Sequence, residues 1–274
     1  MKLLLTGATG FIGRHVLTRL RECDGVEIGI LTRRSNVAPV GVTEIVDDIG
    51  NEALDWHALG CPDVVLHLAW GGLPNYRSPR HFDEAQRHST FLRRLAAQGL
   101  PRLICAGTCY EYGMRQGCLA EHEVTDPANS YGLGKDVLRR QLALDTPNTQ
   151  LLWTRFFYLY GNGQAPTSLY SQVCAAIDRG DSVFRMSGGE QLRDFLPVTR
   201  AADHLVRLAL DPRQTGIFNI ASGEPISIRR LVETWFADAG HSIRLELGHY
   251  PYPDWEPFAF WASTAKLTAA LART

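Results

Sequence analysis

Tyr131 and Lys135 stand four residues apart in ANSYGLGKDVLRRQL, a stretch whose spacing predicts a helix over 129–145. Residues four apart on a helix share one face, one turn from each other. A phenol titrates at about 10 in isolation, and a neighbouring ammonium favours its charged form, so the pair can transfer a proton near neutrality. A third candidate, Thr108, follows the apolar run RLICAG (102–107). A hydroxyl at the carboxyl end of a parallel strand can hold a carbonyl or alkoxide beside such a tyrosine. Far upstream, LLLTGATGFIGRHV places Gly7, Gly10 and Gly13 between a strand and a helix. The first glycine permits a tight turn and the second lets the backbone approach a pyrophosphate. The third lets the helix sit close to the sheet, and the helix N-terminus offers free N–H groups to phosphate.

The end of the next strand chooses between dinucleotides. A carboxylate there accepts from the ribose 2′-hydroxyl, whereas an arginine accommodates a 2′-phosphate. Here GILTRRSN puts Thr32 in the acidic place, followed by Arg33 and Arg34, which favours NADP(H) and leaves NAD(H) possible. Asp47 and Asp48, after a third strand, could meet the adenine or simply end that strand.

These residues need a scaffold, and its period is visible. The runs 2–6, 26–32, 63–69 and 102–107 read as strands buried on both faces, with helical spacing over 11–23 and 81–98 between them. Such alternation predicts an α/β chain with a doubly wound parallel sheet of the Rossmann type. A strand is predicted over 150–161, a helix over 168–179, and strand, turn, strand over 182–198. Helices at about 200–210 and 227–239 bracket a strand over 216–222. Residues 1–160 form the dinucleotide-binding domain, to which the chain returns at about 196–222. Residues 161–195 and 223–274 form a smaller, interwoven C-terminal substrate-binding lobe. Its tail, HYPYPDWEPFAFW, reads as a loop packed over something.

Bulk properties narrow the class further. At 274 residues, 45% hydrophobic and 21% charged, the chain is ordinary for a globular protein. A formal net charge of −1 gives no reason to expect a nucleic-acid partner. Six cysteines form no CxxC pair and no metal-ligand spacing, which predicts reduced thiols, a cytoplasmic protein and no metal. The N-terminal apolar run breaks at Gly7, too soon for a signal peptide or a membrane span.

The glycine loop, Thr108, and Tyr131 with Lys135 together resemble the extended short-chain dehydrogenase/reductase family, in its nucleotide-sugar branch. HLAW (67–70), RFFYLYG (155–161), RDFLPV (193–198) and FNIASGE (218–224) fit the same pattern. The resemblance implies that Tyr131 is the acid/base, that Lys135 orients the nicotinamide ribose and lowers the tyrosine pKa, and that Thr108 holds the reacting oxygen. It also implies cofactor contacts from Thr9, Phe11, Ile12, Asp48, Ile49, Leu68, Ala69 and Phe157, and substrate contacts from Cys109 and Tyr110. Arg193 would grip the pyrophosphate of a nucleotide sugar; the plainer alternative is an ion pair with Asp194. Family members pair the helices at 81–98 and 129–145 into a homodimer.

In the family's dehydratases, a carboxylate pair follows the Thr directly. This chain has Cys109 and Tyr110 there, with reference pKa values of about 8.5 and 10, unsuited to protonating a leaving hydroxyl. Dehydration is therefore not expected, and Thr32, Arg33 and Arg34, which suit an exchanging NADPH better than a retained NAD, set reduction of a nucleotide-linked 4-keto-6-deoxyhexose ahead of 4-epimerisation. A non-catalytic NADP sensor is the alternative of another class, disfavoured by the presence of Tyr131, Lys135 and Thr108 together. One family feature is missing: the helix after HLA commonly carries an Asn, where this chain offers Gln86 or His88. His67 reads as a satisfied strand histidine.

Overall fold

Successive side chains of a strand point to opposite faces, so a strand covered on both sides is apolar at every position. The computed structural model, which describes residues 1–273, shows this for the first half of the chain. There β1 (Lys2–Thr6), α1 (Phe11–Leu20), β2 (Glu27–Thr32), β3 (Thr43–Val46), β4 (Val64–His67), α2 (Arg80–Ala97) and β5 (Arg102–Thr108) alternate. A 3-10 turn at Cys109–Tyr112 leads to β6 (Gly117–Leu119), α3 (Ser130–Asp145), β7 (Gln150–Phe156), β8 (Tyr158–Tyr160) and α4 (Leu169–Arg179). Then come β9 (Val183–Arg185), β10 (Leu192–Pro197), α5 (Val198–Leu210), β11 (Gly216–Ile220) and β12 (Pro225–Ser227). The chain ends with α6 (Ile228–Asp238), β13 (Arg244–Glu246), β14 (Phe260–Ala262) and α7 (Ala265–Leu271).

Seven strands form one parallel sheet in the order β3-β2-β1-β4-β5-β7-β11. Leu3, Leu5, Ile30 and Ile104 pack with Val16 of α1 and Leu205 of α5 on one face. On the other, Leu4, Val65, Leu103 and Trp153 pack with Phe91 of α2 and Leu138 of α3. Each fully buried Leu or Ile contributes about 1.5–3 kcal/mol, so both helix layers are held firmly. The strand order reverses between β1 and β4, and a crevice opens there at their carboxyl ends.

The smaller lobe departs from the sequence expectation in two ways. The strand expected over 150–161 divides at Phe157, whose N–H makes the last bond to the large sheet, to Ile220 O at 3.1 Å. Beyond it β8 pairs with β10 in a separate three-stranded sheet. The two strands expected within 182–198 are present as β9 and β10 and join different sheets: β9 pairs with β13, and β10 lies between β8 and β12. Finally, α7 lies in the stretch assigned to the lobe, yet its Leu267 and Ala270 pack in the same core as α1 and α5. The lobe's own core gathers Val173, Phe184, Leu231 and Trp235 from α4, β9 and α6. Among the described residues, no helix is long and apolar enough to cross a membrane.

Candidate active site

The crevice has two cavities that share Gly7, Gly10, Leu68 and Trp70. The first, about 260 Å³, runs from Arg33 past Asp48 and Ile49 to Glu84 and His88. Gly7 turns the chain with φ +74, and a Cβ there would lie 2.6 Å from Ala69 N. A Cβ on Gly13 would overlap the Gly7 carbonyl oxygen, so α1 can approach the turn only without a side chain there. A Cβ on Gly10 would meet only Gly7 O, at 3.2 Å, so its other side opens onto the crevice. The first N–H groups of a helix lack intrahelical partners, and here they meet a backbone cradle no Cβ fills. The residues present thus fit a dinucleotide pyrophosphate.

The second cavity, about 350 Å³, brings Tyr131 and Lys135 of α3 together with Thr108 at the end of β5. Asn129 caps α3, its side chain accepting from Gly132 N at 2.8 Å, which fixes the helix start beside Tyr131. Thr108 is placed by Glu111, whose Oε1 accepts from Thr108 N at 2.9 Å. The same fully buried carboxylate accepts from Trp153 Nε1 at 2.9 Å and Arg155 Nε at 2.8 Å. Glu111 therefore anchors the turn after β5 instead of facing the cavity.

Electrostatics assign the protons. Burial pushes the Tyr131 hydroxyl well above its ordinary 10.0, helped by Tyr76, Cys109 and Glu111 and opposed by a hydrogen bond with Thr108. Burial also pulls the Lys135 ammonium from 10.5 down to about 8. Its Nζ donates to Ala106 O at 2.7 Å and lies 3.9 Å from the centre of the Trp70 ring. Desolvation dominates, so the net shift of Tyr131 is upward, opposite to the lowering that the resemblance implied for Lys135. Burial likewise pushes the Cys109 thiol above its ordinary 9.0 and Tyr110 well above 10.0.

Most of the residues picked from sequence line the crevice. Thr9, Arg33, Asp48, Ile49 and Ala69 border the first cavity, and Phe11, Ile12, Cys109, Tyr110 and Phe157 the second. Two do not. Arg34 is exposed outside the cavity, its backbone N–H donating to Thr32 Oγ1 at 3.2 Å in a local turn. Arg193 is fully buried within the lobe, and among the described residues its ion pair is with Glu256 and not with Asp194, the alternative partner. Its guanidinium donates to Leu192 O, Phe258 O and Glu256 Oε2 at 2.9, 3.0 and 3.1 Å. Asp194 instead accepts from the backbone of Ser222 and Gly223.

Trp70, Tyr76, Glu84 and Arg87 line the crevice without having been picked from sequence. Arg87 ion-pairs with Asp48. Of the two candidates on α2 for the missing Asn, Gln86 points to solvent and His88 is buried. No periodicity separates such residues from ordinary helix and loop positions.

The family model described as the NAD dependent epimerase/dehydratase family matches residues 3–221, and the chain belongs to that family. It is an NAD(P)-dependent oxidoreductase. It is 28% identical over 270 residues to dTDP-6-deoxy-L-talose 4-dehydrogenase (NAD(+)) of Aggregatibacter actinomycetemcomitans, covering 96% of this chain and 100% of that protein. To dTDP-6-deoxy-L-talose 4-dehydrogenase (NAD(P)(+)) of Kitasatospora kifunensis it is 25% identical, covering 92% and 83%. Among solved structures, MoeE5 in complex with UDP-glucuronic acid and NAD superposes with a TM-score of 0.80 at 27% identity, covering 99% and 93%.

Proposed function

We propose that the chain reduces the 4-keto group of a nucleotide-linked 4-keto-6-deoxyhexose, a dTDP-linked one above all, using NADPH and reversibly as a dehydrogenase. One observation carries this reading: Tyr131, Lys135 and Thr108 border a cavity whose lining contains no Asp or Glu. Dehydration needs a base as well as an acid at the sugar, and burial holds Cys109 and Tyr110 protonated, so neither can be that base. The apolar walls at Leu73, Tyr76 and Tyr110 suit a 6-methyl group better than a hydroxymethyl or a carboxylate.

Gly7, Gly10 and Gly13 would hold a reduced nicotinamide dinucleotide, which would supply the hydride. Tyr131, uncharged at neutral pH, hands its proton to the oxygen that was the C4 carbonyl, and Thr108 Oγ1 holds that oxygen in place. Lys135, charged below pH about 8, orients the ribose and stabilises the phenolate left by the transfer. Arg33 borders the dinucleotide cavity and would pair with a 2′-phosphate there, which supports NADPH; the outlying Arg34 weakens that support and leaves an NAD-retaining 4-epimerase as the second reading. Incubation with NADPH or NADH and a panel of 4-keto nucleotide sugars, with products assigned by NMR, separates the two. Interconversion of two sugars without added cofactor would replace the reductase by the epimerase.

The working unit is a homodimer joined through α2 and α3, where Phe82, Leu133 and Val137 are 46%, 39% and 37% exposed. Sedimentation of a Phe82→Glu, Val137→Glu variant as a monomer would support it. A cytoplasmic site of action fits the six free thiols.

A further inference from the structure

Trp70 stands on the loop leaving β4 with two different groups against its ring. The Lys135 ammonium covers one ring face at 3.9 Å, and the His88 imidazole stacks at 4.9 Å and 20°. The indole edge is fixed as well, because Nε1 donates to His81 Nδ1 at 3.1 Å. His81 keeps that acceptor free because its Nε2 donates to Asn75 O at 2.8 Å. Tyr131 meets the same indole edge-on, with ring centres 6.1 Å apart.

The ring behind Trp70 is held in turn by a buried chain. His88 Nε2 donates to the Glu84 carboxylate at 3.1 Å, which leaves His88 Nδ1 to accept from His67 Nε2 at 2.6 Å. His67 Nδ1 then accepts from Thr6 Oγ1 at 2.8 Å. One assignment of protons satisfies every member, with both imidazoles neutral. Burial favours that state, since it holds both histidines below their ordinary 6.5. A neutral ring can stack on the indole without adding a second cation to the one Lys135 supplies. Glu84 also accepts from Gly71 N at 3.1 Å and from Arg80 Nε at 3.1 Å, so the chain ties β1, β4, α2 and the Trp70 loop into one unit.

We infer that Trp70 is a positioning residue for Lys135, and that the His67–His88–Glu84 chain holds the indole in place behind it. Without the indole, the ammonium keeps only Ala106 O as a fixed partner on a side chain with four rotatable bonds. The inference rests on the role proposed above for Lys135.

The chain has three lysines, Lys2, Lys135 and Lys266. Protein labelled with carbon-13 lysine therefore gives three ε-methylene signals, assigned with Lys135→Arg and Lys266→Arg. An ammonium over an indole face shifts these protons upfield. In Trp70→Leu the Lys135 shift is expected to vanish and kcat to fall between about 10- and 100-fold, with the sugar KM changed by less than about threefold. Trp70→Phe, which keeps an aromatic face, is expected to retain most of the shift and to recover most of kcat. His88→Asn, which removes the stacked ring, is expected to give an intermediate shift. Full kcat in Trp70→Leu, or Trp70→Phe as slow as Trp70→Leu, would overturn the positioning role. A Lys135 signal unchanged in His88→Asn would overturn the part given to the histidine chain. If the wild type reduced no 4-keto sugar, the proposed reaction would fail alone. The lysine spectrum and the NADPH affinity of the same variants would still decide for or against Trp70.

Discussion

The two ends of the crevice are built by different means. At the dinucleotide end, Gly7, Gly10 and Gly13 act through backbone and through side chains they lack, all within seven consecutive residues. At the reactive end, Thr108, Tyr131, Lys135 and Trp70 come from β5, α3 and the β4 loop, and Tyr131 and Lys135 have pKa values moved by burial. The first end is a local solution to holding an anion. The second depends on several elements agreeing about where a few atoms lie, so its residues should split sharply into those that do chemistry and those that hold them.

Four experiments press on that contrast. Tyr131→Phe removes the proton donor and should lower kcat by about 10²–10⁴-fold with NADPH affinity intact, as calorimetric titration would check. Lost cofactor binding in that variant would merge the two ends into one. Glu111→Gln strips the charge partner from buried Arg155, and should lower stability by about 3–5 kcal/mol in denaturant unfolding. Because it also holds Thr108, the surviving folded fraction should turn over slowly yet bind NADPH normally.

The pH profile follows from Lys135. Its pKa is lowered to about 8, so the charge is present below that pH and is lost above it. Accordingly kcat/KM should fall as pH rises through about 8, and a plateau continuing to pH 10 would remove the ammonium from the reaction. Arg33→Ser is the mildest of the four. Loss of one charge-assisted contact should raise the KM for NADPH about tenfold and leave that for NADH alone. Equal effects on both cofactors would argue that Arg33 reads no 2′-phosphate.

How much could be read in advance divides along the same line. The parallel sheet was legible because β1, β4 and β5 are buried on both faces and interrupted by amphipathic helices. The glycine spacing and the Tyr131–Lys135 pair were legible because both lie within one element. Arg193 was misplaced because a motif records its neighbours in sequence, whereas its actual partners, Phe258 O and Glu256, arrive from a loop more than sixty residues later. Phe157 hid a change of sheet for a similar reason, since an apolar run does not say which strand will accept each end.

The chain's own order of residues determined the alternation of strand and helix, the anion cradle, and which side chains could exchange a proton. Those are consequences of periodicity and of short spacings, which survive in one dimension. Tertiary structure alone decided that Tyr131 keeps its proton, that Lys135 is an ammonium near its titration point, and that Trp70 packs against both that lysine and His88 of a buried histidine pair. Desolvation and stacking depend on everything that surrounds a group in space, and residues as distant in the chain as Thr6, His88 and Lys135 meet only once the sheet has closed around them.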